Sequence, residues 1–92
     1  MAVYVDWLLN HGWRPRGQLI KSCHLLADTE EELHALALSI GLRREWFQSG
    51  SRVAHYDLTE SLRALAVAAG AVELTRATFR PVYRRLRRPG GE

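Results

Sequence analysis

The sequence predicts a small α+β domain in which about three strands are covered by helices, in the order β-β-α-α-β-α. Two early segments, Val3 to Asp6 and Leu19 to Ala27, alternate with the period of two that marks strands with unlike faces. Later segments place apolar residues at helical spacing, and two of them run into a glycine, Gly41 and Gly70, suited to end a helix. The third observation is length: 92 residues with 47% apolar content fill one core. The expected organisation is a single domain over residues 1–88 with a flexible tail at 89–92.

In the first strand Val3 and Val5 lie opposite Tyr4 and Asp6, with Asp6 near its end. Asn10 to Gly17 combines two glycines and a proline with Trp13, Arg14 and Arg16, and reads as an exposed loop. The second strand sends Leu19, Lys21, Cys23, Leu25 and Ala27 to one face and Ile20, Ser22, His24 and Leu26 to the other. A helix start follows, because Asp28 with Glu31, or Thr29 with Glu32, fits the capping box, and three acids suit the positive helix end. Leu33, Leu36, Ala37 and Ile40 form its core stripe, with His34 on the shoulder. Leu42 to Arg52 has no clear period and is expected to be a loop anchored by Trp46-Phe47. The second helix is capped by Asp57 or Thr59 and buries Leu62, Leu65, Ala66 and Ala69. Ala71 to Thr75 is a short third strand. Thr78 then caps a last helix with Phe79, Val82, Tyr83 and Leu86 on one face and Pro81 in its first turn.

No apolar run approaches the ~20 residues of a bilayer span, and Met1 leads into an alternating strand rather than an apolar leader. The expectation is a cytoplasmic chain with no membrane partner. Cys23 is a lone cysteine, so neither an internal disulfide nor a multi-thiolate zinc site can form within the chain. It reads as a small buried hydrophobe. The net charge of +3 is unevenly spread: up to Thr75, seven Lys/Arg face nine Asp/Glu, whereas from Arg76 six arginines face only Glu92. Arg84, Arg85, Arg87 and Arg88 belong to the last helix and its end, where positive charge suits the helix dipole and the apolar face is expected to dock.

Tyr4-Val5-Asp6, the run Cys23 to Asp28, Glu31 to Ala35, and Ile40-Gly41-Leu42 with Trp46-Phe47 together resemble an uncharacterised bacterial and phage family, the domain of unknown function 4031. His55 to Leu58, Arg63 to Val67 and Gly70 to Glu73 continue the resemblance over nearly the whole chain. It implies recurring aspartate and histidine positions but no established activity. The chain departs from the family at Leu62, where relatives often carry a basic residue.

The residues able to do chemistry are Asp6, His24, Asp28, His34, His55, Asp57 and Arg63, a mixture suited to a nitrogen and oxygen metal site or an acid/base pair. His55 and Asp57 are two apart, so in extended chain both point to one side. The structural alternative is that Asp57 caps the helix while His55 bonds a carbonyl. His24 and Asp28 stand ~13 Å apart along a strand, which leaves Asp28 mainly a cap. His24 meets Asp6 only if strand pairing brings them together; otherwise it is a hydrogen-bonded core histidine. His34 is expected at the surface or boundary, and His11 is a loop histidine with no local partner.

No activated nucleophile, P-loop or dinucleotide fingerprint is present. Arg14, Arg16, Arg43, Arg44 and Arg52 fall in loops, where guanidinium forks suit phosphate, and Trp13 or Trp46 can stack on a base. The first reading is therefore a binding module for a phosphate-bearing ligand, nucleotide or nucleic acid, through Arg14, Arg16, Arg43, Arg44, Arg63, Trp13 and Trp46. The second is a metal-dependent phosphoesterase or nuclease with Asp6, His24, His55 and Asp57 as both catalytic and divalent-metal residues. A phage-type interaction or inhibitor domain anchored by Trp46-Phe47 is the third, and a homo-oligomer is compatible with all three.

Overall fold

A computed structural model describes residues 2–87; Arg88 and the tail expected at 89–92 lie outside the described residues. The chain is α+β, but its mixed sheet has five strands where three are expected: β1 (Val3–Val5), β2 (Leu9–Asn10), β3 (Lys21–Ala27), β4 (Tyr56–Thr59) and β5 (Val72–Glu73). Three helices accompany them, α1 (Glu30–Ser39), α2 (Glu60–Ala68) and α3 (Arg76–Leu86). The two unexpected strands are short pieces: β2 ends on Asn10, the first residue of the expected loop, and β4 takes up residues expected to lead into α2. β3 is central, antiparallel to β1 and β2 along one edge and to β4 along the other, while β5 runs parallel to β1.

The pleat divides the apolar residues between two layers. Val5, Cys23, Leu25, Tyr56 and Leu58 share one face and are essentially inaccessible, packed with Leu33 and Ala37 of α1 and Ala66 of α2. Tyr4, Leu26 and Leu74 point the other way, where Phe79, Val82, Tyr83 and Leu86 of α3 cover them as the helical stripe predicts. Helices thus lie on both sides of the sheet, each burying the face its periodicity marks.

Thr29 caps α1 by accepting from the Glu32 N–H, and its hydroxyl donates to Glu32. Thr59 caps α2. α3 begins earlier than expected, because Thr75 and Thr78 bond each other's backbone N–H in a reciprocal capping box. Pro81 is consequently inside the helix, on its exposed side, rather than in its first turn. The inward face of α2 is also rotated from the expected stripe: Ala66 is buried, whereas Leu65 is half exposed and Ala69 exposed, since Arg63 takes an inward position.

Asp28 corrects a second expectation. Its carboxylate is not a cap but a knot, accepting from the Ala2 N–H at 2.7 Å, the Tyr4 hydroxyl at 2.9 Å and Arg85 of α3 at 2.7 Å. The Arg85 guanidinium holds the Asp28 carboxyl below its ordinary range against the opposing effect of burial, with Tyr4 and Ala2 adding to the lowering. A carboxylate whose native pKa is depressed binds fewer protons folded than unfolded, so its contribution is complete above the unfolded value near ~4 and fades as pH falls through the native one. Asp28→Asn should therefore lower Tm by a few degrees at neutral pH, and thermal melts of the two proteins should draw together as pH falls from ~4 and converge below the lowered native pKa. A gap that persists in acid would locate the effect elsewhere.

Candidate metal centre

β1 and β2 are one strand interrupted by a bulge. Asp6 N–H still bonds the His24 carbonyl at 3.3 Å, but Leu9 pairs with Ser22, so Trp7 and Leu8 together stand opposite Cys23. Bulges of this kind bend a strand and re-aim side chains. Here the Asp6 carbonyl leaves the ladder and accepts from Arg63 Nε at 2.8 Å. The His24 N–H, which an unbroken ladder would pair with that carbonyl, instead donates to Asp6 Oδ1 at 2.6 Å. The second carboxylate oxygen, Oδ2, lies 2.7 Å from His24 Nδ1. A carboxylate only accepts, so Nδ1 carries a proton, and in the neutral ring Nε2 presents its lone pair outward.

β4 brings the remaining residues. Its register sets Asp57 directly opposite His24, and His55 is fixed by a backbone pair with Gln48. His55 Nδ1 donates to the Val53 carbonyl at 2.8 Å, so in the neutral ring its Nε2 carries the lone pair as well. Both Nε2 atoms face one carboxylate oxygen, Asp57 Oδ1, at 3.5 Å from His55 and 3.9 Å from His24. The three donor atoms lie within 4.8 Å of one another. Two ligands of a tetrahedral ion at bond lengths of ~2.1 Å stand ~3.4 Å apart, so a small inward movement suffices to make a coordination shell. Asp57 is about half exposed and His24 about one third, which keeps one side open to solvent.

The electrostatics favour positive charge beside the carboxylates, so a proton and a metal ion compete for the two Nε2 atoms. The hydrogen bond to Asp6 raises the His24 pKa, with burial opposing it and the charges of Asp6 and Asp57 adding to it. The His55 imidazole holds the Asp57 carboxyl below its ordinary range, with His24 and His11 adding to the effect. Asp6 is buried and spends both oxygens on His24, so it orients the imidazole rather than reaching the donor cluster itself.

Of the four residues expected to form the centre, His24, His55 and Asp57 converge and Asp6 stands behind them. Asp28 is remote from the cluster in the α3 knot. His34, expected near the surface, is buried, with Nδ1 2.8 Å from the Tyr56 hydroxyl, because β4 delivers Tyr56 beneath α1. Arg63 serves the Asp6 carbonyl and Glu73, the latter at 3.1 Å. Arg14, Arg16, Arg43 and Arg44 are exposed on the two loops, as are Trp13 and Trp46. Phe47, by contrast, turns inward, its ring 4.5 Å from His34, so Trp46 alone of that pair faces solvent. Cys23 is buried as expected, and burial, with the negative charge of Asp6 adding to it, pushes its thiol up to about 12.

Two further residues join the site: His11, expected to be a loop histidine with no local partner, and Trp7, which carries no expectation. The His11 ring packs 5.2 Å from His24, a third imidazole at the edge of the cluster. Trp7, delivered by the bulge, meets Phe79 edge-on at 5.3 Å and walls the groove that His24 and His55 line. Neither has a local signature, since both depend on the bulge and on β2.

The model of a family described as "Protein of unknown function (DUF4031)" matches residues 3–88. The chain belongs to the DUF4031 family. No curated protein and no solved structure matches it. Among the described residues of this DUF4031 member, no helix is long and apolar enough to cross a membrane.

Proposed function

We propose that this DUF4031 chain is a metal-dependent phosphoesterase whose divalent ion is held by His24, His55 and Asp57. What supports the reading is one observation: two imidazoles with anchored Nδ1 atoms turn bare Nε2 atoms on a single carboxylate. Two nitrogens and one oxygen are a ligand set that catalytic zinc sites use, with the fourth position left to water. Asp6 and the Val53 carbonyl supply the outer hydrogen bonds that fix ligand tautomers in such sites.

A divalent ion held by these three residues would supply a water of lowered pKa and draw charge from the phosphoryl oxygens. In the hydrolysis a P–O bond forms to the water oxygen, the P–O bond to the alcohol breaks, and the proton lost by the water ends on the departing alkoxide. No oxidant or reductant is needed. The test is turnover of bis(p-nitrophenyl) phosphate with Zn²⁺ or Mn²⁺ added in turn. Activity that requires the ion and is lost in His55→Ala and Asp57→Ala supports the reading; a chain inert with every ion, or equally active in both variants, contradicts it.

A binding module for a phosphate-bearing ligand remains the second reading, favoured by the exposed indoles beside loop arginines. It predicts affinity without turnover in the same assay.

A further inference from the structure

Two large aromatic rings are left in water on separate loops: Trp13 is 40% exposed and Trp46 46%. Both line one groove of about 570 Å³, together with Gln48, Asp57 and Thr59. A second groove, of about 490 Å³, is lined by His24 and His55 and walled by Trp7, Phe79 and Tyr83. The candidate ligands are thus divided, the carboxylate lining one groove and the imidazoles the other, and Asp57 stands 3.5 Å from His55 and 3.9 Å from His24 between them. A substrate that uses both is a chain crossing the centre rather than a small ester seated on one side.

The residues flanking the two indoles narrow the class of chain. Trp13 is followed by Arg14 and Arg16, and Trp46 is preceded by Arg43 and Arg44, all exposed beside the indoles, though none of the four lines the groove itself. Flat rings interleaved with guanidinium groups complement a strand that alternates bases with phosphates. The acids there are accounted for: Glu45 lies 3.6 Å from Arg43, and Asp57 belongs to the metal set. Indoles can stack only on bases whose faces are free, which a duplex does not offer.

We infer that the substrate is single-stranded nucleic acid, stacked on Trp13 and Trp46 and crossing the centre at His24, His55 and Asp57. This rests on the phosphoesterase reading and names its substrate class. The test is fluorescence anisotropy of fluorescein-labelled oligothymidine and oligouridine, at low salt with EDTA present, so that it reads binding without metal. Saturable binding is expected, weakening with added salt. Trp13→Ala and Trp46→Ala should each weaken it about tenfold, with Zn²⁺ affinity unchanged. Because both indoles are exposed, circular dichroism should show both variants folded, and quenching of indole fluorescence in the unaltered protein provides an independent reading. Absence of binding, equal competition by a duplex, a mononucleotide or a poly-glutamate peptide, or unchanged affinity in both variants would overturn the inference. Metal uptake and ester turnover without oligonucleotide binding would remove the substrate class alone; binding to a chain that takes up no metal would remove the phosphoesterase reading and the substrate role with it.

Discussion

Asp6→Asn is expected to weaken metal binding by about 10- to 100-fold while leaving the fold in place. The substitution is nearly isosteric, but an amide brings one acceptor and one donor where the carboxylate has two acceptors. In the native chain both oxygens are used, Oδ1 for the His24 N–H and Oδ2 for Nδ1–H. If the amide oxygen keeps the backbone N–H, its NH₂ group faces Nδ1, which must then accept, and the ring proton moves to Nε2. The lone pair that faces Asp57 disappears. Zn²⁺ titration measures the loss, and the ¹⁵N shifts of His24 report the tautomer directly. Unchanged affinity with an Nε2–H tautomer would mean that His24 is not a ligand.

The largest effect on stability is expected at Leu25→Ala. Leu25 is fully buried at the middle of β3, the strand that pairs with β1, β2 and β4. Removing its branched end deletes the transfer energy of the lost carbons and opens a cavity, about 2–5 kcal/mol in comparable cores. Small domains have about 5–15 kcal/mol in total, so the variant should lose a large fraction of its stability. Urea unfolding gives the difference, and a loss below about 1 kcal/mol would show a core that closes over the gap. The centre is expected to weaken with it, because His24 is the next residue on the same strand.

The elements legible in the sequence are those that local chemistry specifies. Thr29 with Glu32 marks the start of α1, the alternation from Lys21 to Ala27 marks β3, and the Phe79, Val82, Tyr83 and Leu86 stripe marks the docking face of α3. What the sequence hides is non-local. β2 is two residues long and exists because a bulge lets the chain rejoin β3 after Asp6. β4 does alternate buried Tyr56 and Leu58 with Asp57 and Thr59, but four residues beside a helix start read equally well as a cap. The same rule applies to the centre. That His55 and Asp57 share a side follows from their spacing, whereas the meeting of His24 with Asp57 is a matter of register between strands more than thirty residues apart. Asp28 misleads for the opposite reason: a cap beside an acidic helix start is the local reading, and the distant Arg85 outcompetes it.

Calorimetric titration of the unaltered chain and of Asp57→Ala with Zn²⁺ tests the central claim most directly. One ion per chain is expected, bound to the unaltered protein and weakened in the variant by more than the about 10- to 100-fold that loss of an outer hydrogen-bond partner costs. Equal uptake by both proteins, or none by either, would contradict it.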